Sequence, residues 1–436
     1  MIFKPYPKYT SCAIQWFNQI PQSWKQVRVE QYLIKKDENI GDLWSSTQLL
    51  SLTQKGIIEK DINEGKGKTH SDYSTYQAID IGDLVFCLFD IDETPRTVGL
   101  STKKGMITSA YTAFKSKENI NTQYVYYFFE SLDDAKALKP YYKGLRKTVR
   151  PPEFLKIHVP FPPKVEQVAI SQFLDTETAR IDNLIAKQEK LIELLEEQRK
   201  SIISHAVTKG LNPDALMKDS GVEWLGEVPN HWMTPSSKHL LEIPITDGPH
   251  ETPNFVDDGV PFISAEAISK GKIDFDKKRG YITPELNAIY SKKYSPKIED
   301  IYMVKSGATT GKVAMVETTE TFNIWSPLAV FRCNKNKVLP NFLLAVFNSS
   351  HFYDALVLNW SYGTQQNIGM GVLSNIEIPC PPLKEQAEII QHLDVQNTKF
   401  DKLIDTQSQL IEKLKEYRSS IIFHAVTGKI DIREFC

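Results

Sequence analysis

The residues best suited to chemistry in this 436-residue chain lie in six short segments rich in Gly, Lys, Thr and side-chain amides. They are GKGKTHS from Gly65, GLRKTVR from Gly144, DGPHETP from Asp247, KKRG from Lys277, SGATTGK from Ser306 and GTQQN from Gly363. Lys and Arg suit phosphate or the guanine edge, and Gln and Asn suit adenine. The candidate DNA contacts are therefore Lys66, Lys68, Thr69, His70, Arg146, Lys147 and Arg150 in the first half of the chain. In the second half they are His250, Thr252, Lys277, Lys278, Arg279, Thr309, Thr310, Lys312, Thr364, Gln365, Gln366 and Asn367. Any one such segment alone reads better as a solvated surface loop. Their pairing along the chain is what gives them weight.

Catalytic readings of the same residues fail. Gly307 to Lys312 looks like a phosphate loop, but too few residues separate its glycines, and Val313 stands where a hydroxyl is required. Gly67-Lys68-Thr69 has the right ending, with Ile62 where the first glycine belongs. His250-Glu251 has no second histidine at helical spacing, so no metal site is expected. Pro213-Asp214 is the only Pro-Asp pair and falls in a linker, and no Asn-Pro-Pro-aromatic segment marks a methyltransferase. No catalytic residue is expected in this chain.

Bulk properties fit a folded intracellular protein. The apolar runs are too short to span a bilayer, the N-terminus lacks a signal-peptide core, and a cytoplasmic location with no membrane partner is expected. Cys12, Cys87, Cys333, Cys380 and Cys436 are isolated, without the paired spacing of zinc or disulfide frameworks. A formal net charge of −2 runs against a phosphate-binding footprint. The sum hides an uneven distribution, however, with acidic residues concentrated in helical stretches and basic clusters between them.

The positioning elements come from a duplication. The segment PFPPKVEQVAISQFLDTETARIDNLIAKQEKLIELLEEQRKSIISHAVT from Pro160 aligns without a gap to PCPPLKEQAEIIQHLDVQNTKFDKLIDTQSQLIEKLKEYRSSIIFHAVT from Pro379. WFNQIPQSW from Trp16 is echoed by WLGEVPNHW from Trp224. Between these parts lie stretches that match only at scattered points: Gly82-Asp83-Leu84 with Glu299-Asp300-Ile301, Ser109 to Phe114 with Ser326 to Phe331, and Gly144 with Gly363. The division is then an N-terminal lead-in (1–24), a first variable domain (25–158), a central helical region with linker (159–232), a second variable domain (233–377) and a C-terminal helical region (378–436). The variable domains read as small mixed α/β units, with strands at Asp83 to Phe89, Asp300 to Val304 and Leu328 to Phe331 and helices at Tyr124 to Glu130 and Phe342 to Asn348.

Each repeated segment reads as a long helix that begins after a Pro-Pro pair with Glu166 suited to the N-terminus, and stops at Gly210 or Gly428. Heptad spacing places Leu174, Ile181, Leu184, Gln188, Leu191, Leu195 and Ile202 on one seam. Leu393, Phe400, Leu403, Gln407, Leu410, Leu414 and Ile421 form its copy. The simplest packing is an antiparallel coiled coil with an internal pseudo-twofold repeat, in which Gln188 and Gln407 either fix the register or point to solvent at a fraying seam. His205 and His424 read as helix-end residues. A further row, Ile185, Ile192 and Ile203 with Ile404, Ile411 and Ile422, is left for one of the variable domains or another subunit's helices to cover. A helix from near Asp175 to Val207 would be roughly 50 Å long, enough to place two DNA readers a little over one duplex turn apart.

These phrases carry a resemblance. SGVEWLGEVPNHW from Ser220, IPCPPLKEQ from Ile378 with its copy VPFPPKVEQ from Val159, the helix ending SIISHAVTKG, DGPHETP and GTQQNIG are similar, in order and over nearly the whole chain, to the specificity subunits of Type I restriction-modification enzymes. The resemblance implies two target recognition domains that each read part of a split sequence in double-stranded DNA, joined by a helical ruler. It implies two docked modification subunits that carry S-adenosylmethionine, and restriction subunits that carry ATP and Mg, with no cofactor in this chain. The first domain departs from the pattern, having GLRKT where the second has GTQQN, and its N-terminal SCAIQWFNQIPQSW is a degenerate copy. The alternatives are a module for a methylation-only system and a duplicated coiled-coil scaffold that does not bind DNA.

Overall fold

Short runs of β-branched and aromatic residues, bounded by Gly and Asp turns, form the strands of two mixed α/β bodies. The computed structural model describes residues 3–61, 73–144, 147–269, 271–359, 361–362 and 366–433. Lys66, Lys68, Thr69, His70, Arg146, Thr364 and Gln365 lie outside the described residues. The chain divides into two compact units, one of Met1–Gln188 with Gln409–Cys436 and one of Glu189–Ser408. Each long helix contributes a part to both units.

The sheets repeat as well as the helices. In the first unit an antiparallel sheet runs Leu33–Lys35, Thr112–Ser116, Leu84–Phe86, Val98–Leu100. In the second the order is Thr246–Asp247, Leu328–Phe331, Ile301–Val304, Val313–Met315, again antiparallel throughout. A second sheet repeats too. Leu49–Thr53 pairs antiparallel with Gly56–Lys60 and parallel with Gly105–Ile107. Val260–Ile263 likewise pairs antiparallel with Gly280–Ile282 and parallel with Asn323–Ile324. The strand expected at Asp83 to Phe89 is shorter, because buried Asp83 turns back to accept from the Asp80 amide at 2.7 Å. Asp300 does the same with the Lys297 amide at 2.8 Å. A helix, Thr122–Asp134 in one unit and Pro340–Phe347 in the other, then packs behind each sheet.

The long helices are Lys164–Lys209 and Leu383–Val426, 46 and 44 residues. The first alone extends about 70 Å, beyond the expected span because it begins directly after Pro163. They run antiparallel, and the seam differs from the expected one. Leu191 and Leu410 are each 39% exposed and Leu403 is 46% exposed. The residues turned inward are Ile181, Ile185, Gln188, Ile192, Leu195, Arg199 and Ile202, and correspondingly Phe400, Ile404, Gln407, Ile411, Leu414, Arg418 and Ile421. These steps alternate between four and three residues, so Ile185, Ile192, Ile404 and Ile411 of the row set aside belong in the seam, Ile203 and Ile422 pack against the α/β cores, and Leu191, Leu403 and Leu410 lie outside the seam. Leu184 is only half-buried at its edge.

Two of the seam positions are arginines, which an apolar heptad search passes over. Each lays its aliphatic stem along the seam and carries its charge to the rim. Arg199 stands 5.7 Å from the Phe400 ring centre and binds the Asp401 carboxylate. Arg418 donates to Asp182 at 3.0 Å and to buried Glu130 at 3.3 Å. Burial pushes the Glu130 carboxyl up, while Arg418 and Arg96 oppose that shift. The two Arg–Asp pairs are counterparts in the aligned repeats, and they hold the register expected of Gln188 and Gln407. The Gln188 Oε1 is buried without a hydrogen-bond partner.

A clasp at each helix end ties the units together internally. The Trp24 indole donates to Glu166 Oε2 at 2.7 Å, joined by the Tyr6 hydroxyl at 2.9 Å, and Ser23 donates to Oε1 at 3.1 Å. In the second unit the Trp232 indole donates to Glu385 Oε1 at 3.1 Å, and His231 Nε2 lies 2.7 Å from Oε2. Next to Glu166 and Glu385, Gln167 and Gln386 accept the Asn121 and Leu339 amides at 3.0 and 2.8 Å, fixing the start of the helix packed behind each sheet. The glycine that ends the opposite long helix completes the clasp. Gly428 has φ +71°, and a Cβ there would stand 2.4 Å from Pro21 Cγ. At Gly210, φ is +76° and the nearest atoms are flexible Glu385 Oε1 and Trp232 Cζ2, both at 3.2 Å.

Both glycines occupy the left-handed region, where a side chain costs about 1–2 kcal/mol. Only Gly428→Ala adds a clash with a proline ring. Gly428→Ala is expected to lower the thermal midpoint by roughly 5 °C or more, and Gly210→Ala by less. Equal shifts in differential scanning calorimetry would refute the packing described for Pro21.

Candidate nucleic-acid interface

In the second unit, the described candidates converge through backbone bonds. The Ser306-to-Lys312 loop leaves the strand Ile301–Val304 and folds back, with the Gly311 amide donating to Val304 O at 2.8 Å. Thr310 is buried, and its hydroxyl donates to Gly307 O at 2.7 Å, so it shapes the loop from within. Thr309 stays half-buried and Lys312 exposed. The hairpin Ser361–Tyr362 with Gln366–Asn367 docks on this loop, since Gly307 N–H donates to Gln366 O at 3.1 Å and Ser306 bridges to Asn367. Gln366 and Asn367 are exposed beside it. Two loops far apart in sequence thus form one surface of amide, hydroxyl and ammonium groups.

The DGPHETP loop joins from the neighbouring strand. Gly248 is obligatory there, because a Cβ would lie 2.0 Å from Ile324 O. Trp325 Nε1 donates to Glu251 O at 3.1 Å, the Ser326 amide to Pro249 O at 3.2 Å, and the Tyr290 hydroxyl to Glu251 Oε1 at 3.0 Å. Trp325 also carries Arg279 over its ring at 5.3 Å, while Arg279 Nη1 reaches Glu266 at 2.6 Å. Lys278 sits 4.9 Å from the Tyr281 ring, and Lys277 pairs with Asp274 at 2.8 Å. Thr252 is exposed and His250 is 71% exposed.

Sequence reading missed the centre of this region. Asp247 is fully buried, and Lys293 Nζ lies 2.5 Å from its Oδ1. Its Oδ2 faces His250 Nε2 at 3.1 Å and Lys305 Nζ at 3.3 Å. Lys293 follows a helix and Lys305 ends a strand, so no local pattern marks either. Leu328–Phe331, paired with both Thr246–Asp247 and Ile301–Val304, brings Asp247 and Lys305 to one end of the sheet, where Lys293 joins them.

The first unit places different chemistry on the same frame. The Val149 amide donates to Leu88 O at 2.8 Å, as the Ile368 amide does to Lys305 O at 2.8 Å, so the turn at Gly144 occupies the place of the Gln366 hairpin. The loop beside it is acidic, with Asp90, Asp92 and Glu93 where the second unit has Ser306 to Lys312. Lys147, at φ 44°, is drawn to Asp92 at 3.4 Å and Glu93 at 3.5 Å. The hydrogen bond and charge of Asp92 hold the Lys147 ammonium above its ordinary range. Asp92 also accepts from the Tyr142 hydroxyl. Arg150 precedes the short helix Pro151–Phe154 and is exposed. Among the described residues no group of three or more His, Cys, Asp and Glu is placed to hold a metal ion, and no helix is long and apolar enough to cross a membrane.

Known proteins resemble this chain in sequence and fold. Residues 238–416 match the family described as Type I restriction modification DNA specificity domain. The chain is 26% identical over 340 residues to the Type I restriction enzyme MjaVIII specificity subunit of Methanocaldococcus jannaschii, covering 76% of each chain. It is 25% identical over 413 residues to the putative MjaX specificity subunit of the same organism, covering 92% of this chain and 88% of that one. A solved chain from work on complex assembly and conformational transition of the type I R-M system superposes with a TM-score of 0.66 at 15% identity, covering 94% of this chain and 99% of that one.

Gly248→Ala should release the DGPHETP loop without unfolding the sheet. Hydrogen exchange is expected to quicken at the Ser326 amide and at 248–252, with exchange in the first unit unchanged. Unaltered protection at Ser326 would sink this account of the loop.

Proposed function

We propose that this chain, similar to the specificity subunits of Type I restriction-modification enzymes, is such a subunit and selects a bipartite DNA sequence through two recognition domains, one half-site for each. The observation that carries this reading is the repeated sheet framework bearing unlike loops. The second domain offers Lys312, Gln366, Asn367 and a half-buried Thr309, suited to phosphate and adenine or guanine edges. The first offers Asp92 and Glu93, and carboxylates suit the amino group of cytosine. One scaffold thus addresses two different base patterns.

The subunit acts by positioning. Its loops hold donors and acceptors against base edges while the long helices fix where the two domains attach. No residue in it is assigned to bond making or breaking. Adenine methylation belongs to two modification subunits carrying S-adenosylmethionine. Translocation and cleavage belong to restriction subunits carrying ATP and Mg, and the complex works in the cytoplasm. Exposed Leu191, Leu194, Leu403 and Leu410 on the outer faces of the helices supply apolar surface for such docking. The near-neutral chain takes much of its DNA affinity from those partners and the rest from its local loops.

Methylome sequencing of a host carrying the gene and its modification partner should reveal one split, adenine-methylated motif that disappears when the gene is deleted. Replacing residues 25–158 by those of a relative should change one half of that motif and leave the other half and the spacing intact. Methylation that persists after deletion, or an exchange that alters both halves, would overturn the assignment.

A further inference from the structure

The Asp247 cluster holds more positive charge than its own structure requires. A buried carboxylate is costly unless paired, and one lysine would neutralise it. Here two lysines and a histidine surround it. The set carries a surplus of one positive charge, or two when His250 is protonated. Lys293 spends two of its three N–H groups, on Asp247 Oδ1 at 2.5 Å and on Gly248 O at 3.2 Å, leaving one to point elsewhere. Lys293 is 49% exposed and Lys305 13%, so the first opens the cluster to solvent while the second is held largely within it. Fixing two long side chains in the free protein removes an ordering cost that binding would otherwise carry.

The cluster also sits where the reading loops meet. Lys305 directly precedes the Ser306 loop and accepts the Ile368 amide at 2.8 Å, at the foot of the Gln366 hairpin. Asp247 opens the DGPHETP loop, and Lys293 follows the helix Pro284–Tyr290, whose Tyr290 binds Glu251. In the first unit the position of Lys305 is held by Leu88, and the ammonium of Lys147 is spent on Asp92 and Glu93.

We propose that Lys293 and Lys305, positioned by Asp247, form a seat for a single backbone phosphate of the DNA beside the second half-site, without a counterpart among the described residues of the first domain. This rests on the reading that the second domain engages DNA. The seat would fix the register of the domain on the duplex without reading a base.

The test uses the full chain assembled with its modification subunits, with binding measured against salt on a duplex carrying the methylated motif and on a scrambled duplex of equal length. Lys293→Gln, Lys305→Gln and the double variant keep a hydrogen-bonding group near Asp247, and their thermal midpoints report folding. For one phosphate, the slope of log affinity against log salt should become shallower by about 0.9 in the double variant, on both duplexes. Between 50 and 200 mM salt the wild type then loses about 3.5-fold more affinity than the variant, as that slope dictates. The methylated motif should be unchanged. An unaltered slope, or a loss confined to the motif duplex, overturns the phosphate seat, the latter in favour of base reading. A wild-type complex with no preference for the motif duplex would instead defeat the DNA-reading assignment itself.

Discussion

The bond from a tryptophan indole to the first-turn glutamate of a long helix is the constraint on which the rest of the structure hangs. Glutamate at a helix start is expected from the dipole alone, an effect of a few tenths to about 1 kcal/mol at a surface. Glu166 is buried, and a buried carboxylate needs donors; Trp24, Tyr6 and Ser23 supply them. Glu385 takes Trp232 in the same way. The bond therefore joins three chain segments at one point: the Pro-x-x-Trp turn, the start of one long helix and the glycine that ends the other. Gln167 and Gln386, one residue on, accept the backbone of the helix packed behind each sheet. Moving the clasp would move the helix start, the helix end and the domain docked beside them.

Such a fixed frame explains how the loops diverge. The sheet order is the same in both units, and the buried Asp83 and Asp300 make the same turn before the same central strand. Their partners differ, Lys36 at 2.9 Å for one and a bidentate Arg332 at 2.7 Å for the other. Packing and backbone pairing carry the fold, so loop residues are free to change sign. An acidic loop at Asp90 to Glu93 and a Thr- and Lys-bearing loop at Ser306 to Lys312 both leave the central strand of the same sheet. The small net charge of the chain is the sum of such opposed local choices and says little about either face.

Much of this frame was legible because duplication writes the same physical requirement twice. The repeat located the long helices and their glycine stops, and short strands such as Ile301–Val304 emerged from apolar runs. The seam was misread for a specific reason. Leu184, Leu191 and Leu195 lie among Ile181, Ile185 and Ile192, so two apolar rows about one residue apart compete, and spacing alone cannot choose between them. The deciding positions were charged: Arg199 and Arg418 continue the inward row, but a search for apolar residues breaks it there. Asp247, Lys293 and Lys305 escaped for the opposite reason. They are distant in sequence, carry no motif and meet only at one end of the folded sheet.

The arginines alter how the helix pair holds its register. An all-aliphatic seam tolerates slippage by a heptad, since each layer resembles the next. A buried glutamine resists slippage only if its partner completes the bond, and Gln188 Oε1 has none. Arg199 and Arg418 each meet one carboxylate on the opposing helix, Asp401 and Asp182. A heptad shift would strand both guanidinium groups. The exposed half of each pair limits its contribution to stability to about 1 kcal/mol or less, so what the pairs supply is discrimination among registers. Arg418 adds a second contact by reaching Glu130 on the helix Thr122–Asp134, so the residue that sets the register of the helices also anchors the α/β body packed beside them.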